Sequence, residues 1–238
     1  PRRAAPSCIP TICMSTSPET IHHRRRGAPV DCHVLHFGEP AAWLEQCLAS
    51  LEAEPLNIVI VRGGFPGNIG AARAHAIACG SAPYWTFVDA DDWLEAGIVE
   101  RCTGILDDRL DCVGAYTDYH AVSPEGIPTY RTRKLAWTPL ALLGSCWEVL
   151  HYHQYRRAPM LPHLGGLARI PCYEETYIAG VLTGVGDFVH LPEIGYWKRD
   201  GGQSMRLQKT RLLRRVYCEI AFELMAANRR WTVTQRAA

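Results

Sequence analysis

Three carboxylates occupy four consecutive positions in YWTFVDADDWLEAG (residues 84–97): Asp89, Asp91 and Asp92. They follow directly on an apolar run. Close ionised acids repel by roughly 1 kcal/mol per pair in water, and by more when partly buried, so a positive partner is expected beside them. A D-x-D arrangement at a strand end can hold Mg²⁺ or Mn²⁺, hard cations that share their coordination with substrate phosphates. The plainer alternative is a surface turn in which Asp92 caps the next helix. The apolar residues before Asp89 and Asp91 favour function for those two, whereas Asp92 fits a cap.

Upstream, GGFPGNIGAAR (63–73) is a glycine-rich loop leading into a helix, a place where backbone N–H groups can cradle phosphate. It has neither the Lys-Ser/Thr of a P-loop nor the dinucleotide spacing, so a turn explains it equally well. Arg73 lies one turn into that helix, within reach of a phosphate or a base. An isolated Arg there is more often part of a solvated face. Downstream, Glu174 and Glu175 make an acidic first turn, which the helix dipole favours without any chemistry.

The elements that must position these groups alternate. Short apolar segments at 11–17, 30–37, 56–61 and 84–88 read as strands. Segments 17–27, 40–54 and 68–80 read as helices, the first with Ser17, Pro18 and Gly27 as start and stop signals and the third capped by Asn68. A β-α-β-α-β-α-β order predicts a parallel sheet with helices on both faces and a ligand beyond the carboxyl ends of the strands. After the acidic cluster, 94–108 reads as helix, 112–122 as strand, 123–126 as a tight turn, 172–184 as helix and 187–199 as one or two strands. Residues 205–230 form a long amphipathic helix whose stripe (Leu212, Val216, Ile220, Leu224) is expected on the core. The pattern of 127–172 fits neither period.

The chain has 238 residues with 47% hydrophobic and 21% charged, ordinary for a globular domain, and a net charge of +1 that excludes a strong overall field but not local basic patches. It contains no apolar run of about 18 residues, and PRRAAPSCIP at its start lacks the apolar stretch of a signal peptide. The 10 cysteines form no CxxC pair and no zinc spacing, which favours reduced, packed thiols and a cytoplasmic location, the host cytoplasm for a phage-encoded chain.

The order of parts resembles the family 2 glycosyltransferases of GT-A fold. NIGAARAHAIACGSAPYWTFVDADDWLEAG is similar to the core of that family. AYTDYHAVSPEG, YEETYIAG and GYWKRDGGQSM resemble its later elements, in the same order over residues 68–205. The resemblance implies a single α/β domain over 1–238, with a mostly parallel, Rossmann-like sheet flanked by helices. Residues 1–120 would bind a nucleotide-sugar, and 121–238 would bind the acceptor. It also implies a nucleoside-diphosphate-sugar donor, foremost a UDP-sugar, and Mn²⁺ or Mg²⁺. Asp89 would meet the ribose and share the metal with Asp91. Thr16 and Glu39 would touch the nucleoside, and Arg73 the phosphates or base. Tyr196, Arg199 and Ser204 would close over the diphosphate, with Gly201 and Gly202 flexing. Glu175 stands where the family carries Asp and would be the base of an inverting transfer, with Glu174 orienting the acceptor. Two departures stand out. Asp200 follows Arg199 where the family often has a His, leaving His190 as a remote third ligand, and His36-Phe37-Gly38-Glu39 replaces an acidic pair.

Basic clusters at 22–26, 131–134, 156–157 and 206–215 are interleaved with Tyr130, Trp137, Trp147, Tyr152 and Tyr155. Such a pattern can make a groove with stacking platforms for a polyanion, such as hydroxymethylated phage DNA with the target base flipped out. A saccharide, lipid-linked or protein acceptor is the alternative. A non-catalytic nucleotide- or DNA-binding module and a metal-dependent phosphohydrolase are the rivals from other classes. Nothing in the sequence fixes the oligomeric state.

Overall fold

The computed structural model describes residues 17–138 and 151–200. Thr16, Trp147, Gly201, Gly202, Ser204, the basic cluster at 206–215, nearly all of the strand expected at 11–17 and the whole helix expected at 205–230 lie outside the described residues.

A central parallel trio carries the site. Strands β2 (Val30–His36), β3 (Leu56–Arg62) and β4 (Tyr84–Asp89) run together, with Val34 level with Ile60 and Val88. Alternation gives each strand two apolar faces. Cys32, Val34, Ile58, Ile60 and Val88 turn toward helices α1 (Ala41–Glu52) and α3 (Ile98–Asp108). Leu35, Val59 and Val61 meet α2 (Ile69–Cys79), and Trp85 and Phe87 meet α2 together with α5 (Glu174–Thr183). Cys32, Cys47 and Cys102 are free thiols in this core, and burial pushes each thiol's pKa up, so they pack as small hydrophobes.

The sheet is mixed rather than mostly parallel. Its order is β1-β3-β2-β4-β8-β6-β9-β5, with β1 at Glu19–His23, β5 at Trp93–Leu94, β6 at Cys112–Val122, β8 at His153–Arg156 and β9 at Asp187–Arg199; β7 (Pro128–Arg131) pairs with β6 off this path. Among the described residues, beyond the central trio, only β6 and β9 pair in parallel; β1, β5, β7 and β8 pair antiparallel.

The helix expected at 17–27 is instead β1, a strand along β3. The β-branched pair Thr20-Ile21 suits an edge strand, and the backbone donors and acceptors of β3 need a partner. The helix expected from 94 begins only at Ile98. Its N-cap is Gly97, whose φ of 74° suits glycine, and Glu54 holds the end by accepting from the N–H groups of Gly97 (2.5 Å) and Val99 (3.1 Å).

The N-terminus of α2 is closed off. Ile69 and Gly70 donate to the carbonyls of Pro171 and Ile170, both at 3.1 Å, just beyond α4 (Leu164–Leu167), and the Asn68 side chain accepts from Ala71 N at 3.0 Å. The N–H groups of Ile69, Gly70 and Ala71 at the start of this helix are therefore taken by protein oxygens. A Cβ on Gly70 would lie 2.2 Å from Ile170 O and 2.4 Å from Leu167 O, both main chain and unable to yield. Gly70→Ala should therefore destabilise the protein by about 2 kcal/mol. Gly104→Ala, on the open face of α3 with nothing within 4 Å of its Cβ, should stabilise it by about 0.5–1 kcal/mol. Paired thermal melts read both signs.

Candidate active site

Strand β4 delivers Asp89 to the carboxyl end of the sheet, and the chain turns at once, with Asp92 N donating to Asp89 O at 3.0 Å. Ligand oxygens of Asp89, Asp91 and Asp92 lie within 4.8 Å of one another. Asp92 is not the helix cap. Its buried carboxylate accepts from the Arg199 backbone N–H at 2.7 Å and lies 3.8 Å from the Lys198 ammonium. Asp92 thereby ties the loop to β9 and leaves Asp89 and Asp91 as the half-exposed pair.

Tyr196 and Arg199 fasten the same loop. The Tyr196 hydroxyl accepts from Asp89 N at 3.1 Å. Arg199 donates from Nε to Asp91 O (3.0 Å), from Nη1 to Pro124 O (2.5 Å) and from Nη2 to Gln46 Oε1 (2.6 Å), with its guanidinium between Trp43 and Trp93. These donors are committed to protein oxygens.

Arg73 is no solvated helix face. Its side chain is 2% exposed, lies 3.6 Å over the Phe87 ring, and places Nη2 3.3 Å from Asp89 Oδ1 and 3.4 Å from Glu174 Oε1. Nε and Nη1 have no hydrogen-bond partner among the described residues. Arg73 thus joins the tip of β4 to the start of α5, 101 residues later in the chain. Glu175 follows, with Oε1 3.9 Å from His151 Nε2, and that same nitrogen is 3.3 Å from Lys198 Nζ.

Five carboxylates therefore face Arg73 and Lys198. Burial, then Asp89, pushes the Asp91 carboxyl up to about 6. Asp92 is raised by burial, with Lys198 pulling against it, and Glu174 by burial, with Arg73 opposing. Burial first, then Glu174 and Asp89, lifts Glu175 to about 8. The group as a whole is short of positive charge, and its hard oxygen donors fit Mg²⁺ or Mn²⁺ at Asp89 and Asp91.

An open cleft of about 460 Å³ lies nearby at the ends of β2 and β3, lined by His36, Glu39, Leu44, Glu45, Leu48 and Arg62. Glu39 turns back to accept from Phe37 N at 2.8 Å. His190 is bonded to the buried Asp118 at 3.0 Å and stacks on Tyr116, so it belongs to the framework rather than to the acidic cluster.

Several members of the expected polyanion groove are internal. Tyr152 and Tyr155 are fully buried. Arg156 donates to the carbonyls of Cys112, Leu106 and Arg109, and Arg157 to those of Ile77 and Gly80 as well as to Asp31. These arginines close helix ends, as residues with five donors often do. Tyr130 and Arg131 remain on the exposed β7.

Lys198 and His151 are the site residues missed by the sequence reading. Lys198 lies two positions after Tyr196 on one strand, and His151, His153 and Tyr155 alternate through HYHQY. A period of two was present in both places, yet neither showed which end of the sheet it would reach.

No protein-family model and no curated protein matches the chain. Among solved structures, S. aureus TarS 1-349 in complex with UDP-GlcNAc has a TM-score of 0.63 at 11% identity over 84% of this chain and 67% of that one. TarS 1-349 in complex with UDP gives 0.55 at 13%, over 82% and 63%, and TarS 1-349 alone gives 0.55 at 11%, over 71% and 60%. The chain thus spans three fifths to two thirds of those structures. The likeness is one of fold, an α/β mixed sheet flanked by helices.

The raised Glu175 gives a signed expectation for stability. Its folded-state carboxyl binds the proton more tightly than the ordinary value of 4.5, so between 4.5 and about 8 the folded state holds more protons than the unfolded one. That contribution is complete below 4.5 and is lost as pH rises to about 8. Glu175→Gln should leave Tm nearly unchanged near pH 4.5 and raise it on the order of 10 °C near pH 8, the gain growing between those values.

Proposed function

We propose that the chain is a metal-dependent inverting glycosyltransferase that moves a sugar from a nucleoside diphosphate to an acceptor hydroxyl. The observation that carries this reading is the buried Arg73, which holds the D-x-D carboxylate Asp89 and the α5 acid Glu174 in one network. That junction sets a donor-side acid pair beside a candidate base, in a fold shared with TarS structures that contain UDP-GlcNAc and UDP. UDP-sugars are therefore the donors to test first.

In this reading Asp89 and Asp91 hold Mn²⁺ or Mg²⁺, with Asp89 also reaching the ribose. The ion, when bound, supplies charge neutralisation for the departing diphosphate. Arg73 offers to the anionic donor its Nε and Nη1, which have no hydrogen-bond partner among the described residues. Glu39 and its cleft receive the nucleoside, with Thr16 as a further contact. Arg199 positions the acidic loop, and Ser204 is assigned to closure over the donor. Glu175 takes the proton of the acceptor hydroxyl as that oxygen attacks the anomeric carbon. The bond from that carbon to the phosphate oxygen breaks, and its electron pair leaves with the nucleoside diphosphate. Glu174, fixed by Arg73, orients the acceptor. With Tyr152, Tyr155 and Arg157 buried and Arg156 bonded to main-chain carbonyls, a saccharide, lipid-linked or protein hydroxyl is favoured over hydroxymethylated DNA.

The test is nucleoside-diphosphate release and sugar transfer from a panel of UDP- and GDP-sugars with Mn²⁺, against those acceptors and hydroxymethylcytosine DNA. Glu175→Gln should lower transfer on the order of 10²–10⁴-fold while UDP still binds by calorimetry. Asp91→Asn should weaken Mn²⁺ binding about tenfold or more. Transfer at the wild-type rate in Glu175→Gln would overturn the assignment of the base. Phosphate release that needs no acceptor would show a phosphohydrolase, and DNA-dependent release would restore the nucleic-acid acceptor.

A further inference from the structure

A line of side chains crosses from the acidic loop to the candidate base: Asp92, Lys198, His151, Glu175. Successive separations are 3.8 Å, 3.3 Å and 3.9 Å. An ammonium has only donors, so at 3.3 Å His151 Nε2 must be the acceptor. The imidazole proton then sits on Nδ1, which is buried with no hydrogen-bond partner among the described residues. Burial, and then the Lys198 charge, keeps the imidazole neutral by pulling its pKa down. Stacking on Tyr196 with centroids 4.8 Å apart fixes the ring, and Tyr196 itself holds Asp89 N.

His151 in this tautomer cannot donate from Nε2 to Glu175. It neither neutralises that carboxylate nor occupies it with a hydrogen bond. Its Nε2 instead meets both groups, lying 3.3 Å from the ammonium and 3.9 Å from the carboxylate, which make no direct ion pair with each other. Burial disfavours the Lys198 charge, but Asp92, Asp89 and Glu175 outweigh it and hold the ammonium at about 12.

We propose that Lys198, acting through His151, is a positioning residue for Glu175: the ammonium anchored on Asp92 holds the imidazole as a neutral spacer against the carboxylate. The geometry stands by itself, whereas the catalytic meaning rests on the transferase reading. With the spacer in place, the Lys198 field favours an ionised Glu175 without capturing the lone pair that must take a proton. The groups that face Glu175 are Glu174 from its own helix, Asp89 from β4, Arg73 from α2, Tyr155 from β8, His151 before β8 and Lys198 from β9. Only Arg73 and Lys198 among them are cations, and Arg73 is bonded to Asp89 and Glu174.

The test is a ¹³C NMR titration of the full chain labelled at glutamate, taking as Glu175 the signal absent from Glu175→Gln. Lys198→Met should move its midpoint up by about one pH unit, and Lys198→Arg should leave it near the wild-type value. His151→Ala removes the spacer, lets the ammonium approach, and should move the midpoint down. A folded Lys198→Met protein with an unmoved midpoint overturns the proposal, as does a His151→Ala shift in the upward direction. If Lys198→Met does not fold, the opposed sign in His151→Ala carries the test. The pH dependence of kcat/KM is measured in parallel, and its acidic limb should follow each midpoint. Shifted midpoints without any sugar transfer would refute the transferase reading alone, and transfer with unmoved midpoints would refute the positioning role alone.

Discussion

Charge balance at the tip of β4 is the constraint on which the rest of the molecule turns. Asp89, Asp91, Asp92, Glu174 and Glu175 converge where the sheet ends, and ionising all of them beside one another costs more in a dry interior than in water. The chain answers with a buried cation, Arg73, and a partly buried one, Lys198, placed from different elements. Arg73 comes from α2 beneath the loop, and Lys198 from β9 beside it. Arg73 contacts two acids, and Lys198 contacts Asp92 with Asp89, Asp91 and Glu175 in its field. Burial raises the Asp91 and Glu175 carboxyls first, and the neighbouring acids raise them further.

Holding the acids together requires a scaffold that does not relax. The loop after β4 is gripped through its backbone as well as its side chains. Arg199 takes Asp91 O, Tyr196 takes Asp89 N, and Asp92 takes the N–H of Arg199. Removing one partner of such a buried network leaves the others unsatisfied, which makes the arrangement rigid. Glu54 and Ser50 extend the grip, tying the end of α1 to Gly97, Val99 and Leu94 in the turn and helix that follow. The packing of α2 against the segment after α4 fixes Arg73 in turn, because Gly70 brings the two backbones into contact.

The half of the chain beyond β6 is built differently. β8 and the start of α5 are inserted between elements distant in sequence, and the aromatic residues 152 and 155 fill the interior rather than line a groove. Arginines that read as a basic cluster are used to close the carbonyl ends of α3 and α2. A run of cationic and aromatic letters therefore says little about a surface until the register of the strand that carries it is known.

The sequence by itself determined the central trio of strands, α1 and α2 with the Asn68 cap, the strand at 112–122 and the placement of the acidic cluster at a strand's carboxyl end. Each of these rests on local periodicity and on turn chemistry confined to a few residues. Tertiary structure decided the rest. Segment 17–27 carries helix start and stop signals, yet part of it became a strand because the edge of β3 offered backbone partners. Asp92 has the type and position of a cap, yet it bonds β9 because that strand returns beside the loop. Arg73 acquired its place from contacts 16 and 101 residues away in the chain, and Lys198 and His151 meet across 47. Charge pairing of that kind depends on which strand ends meet, and sheet order is a property of the folded chain as a whole that no window of its sequence contains.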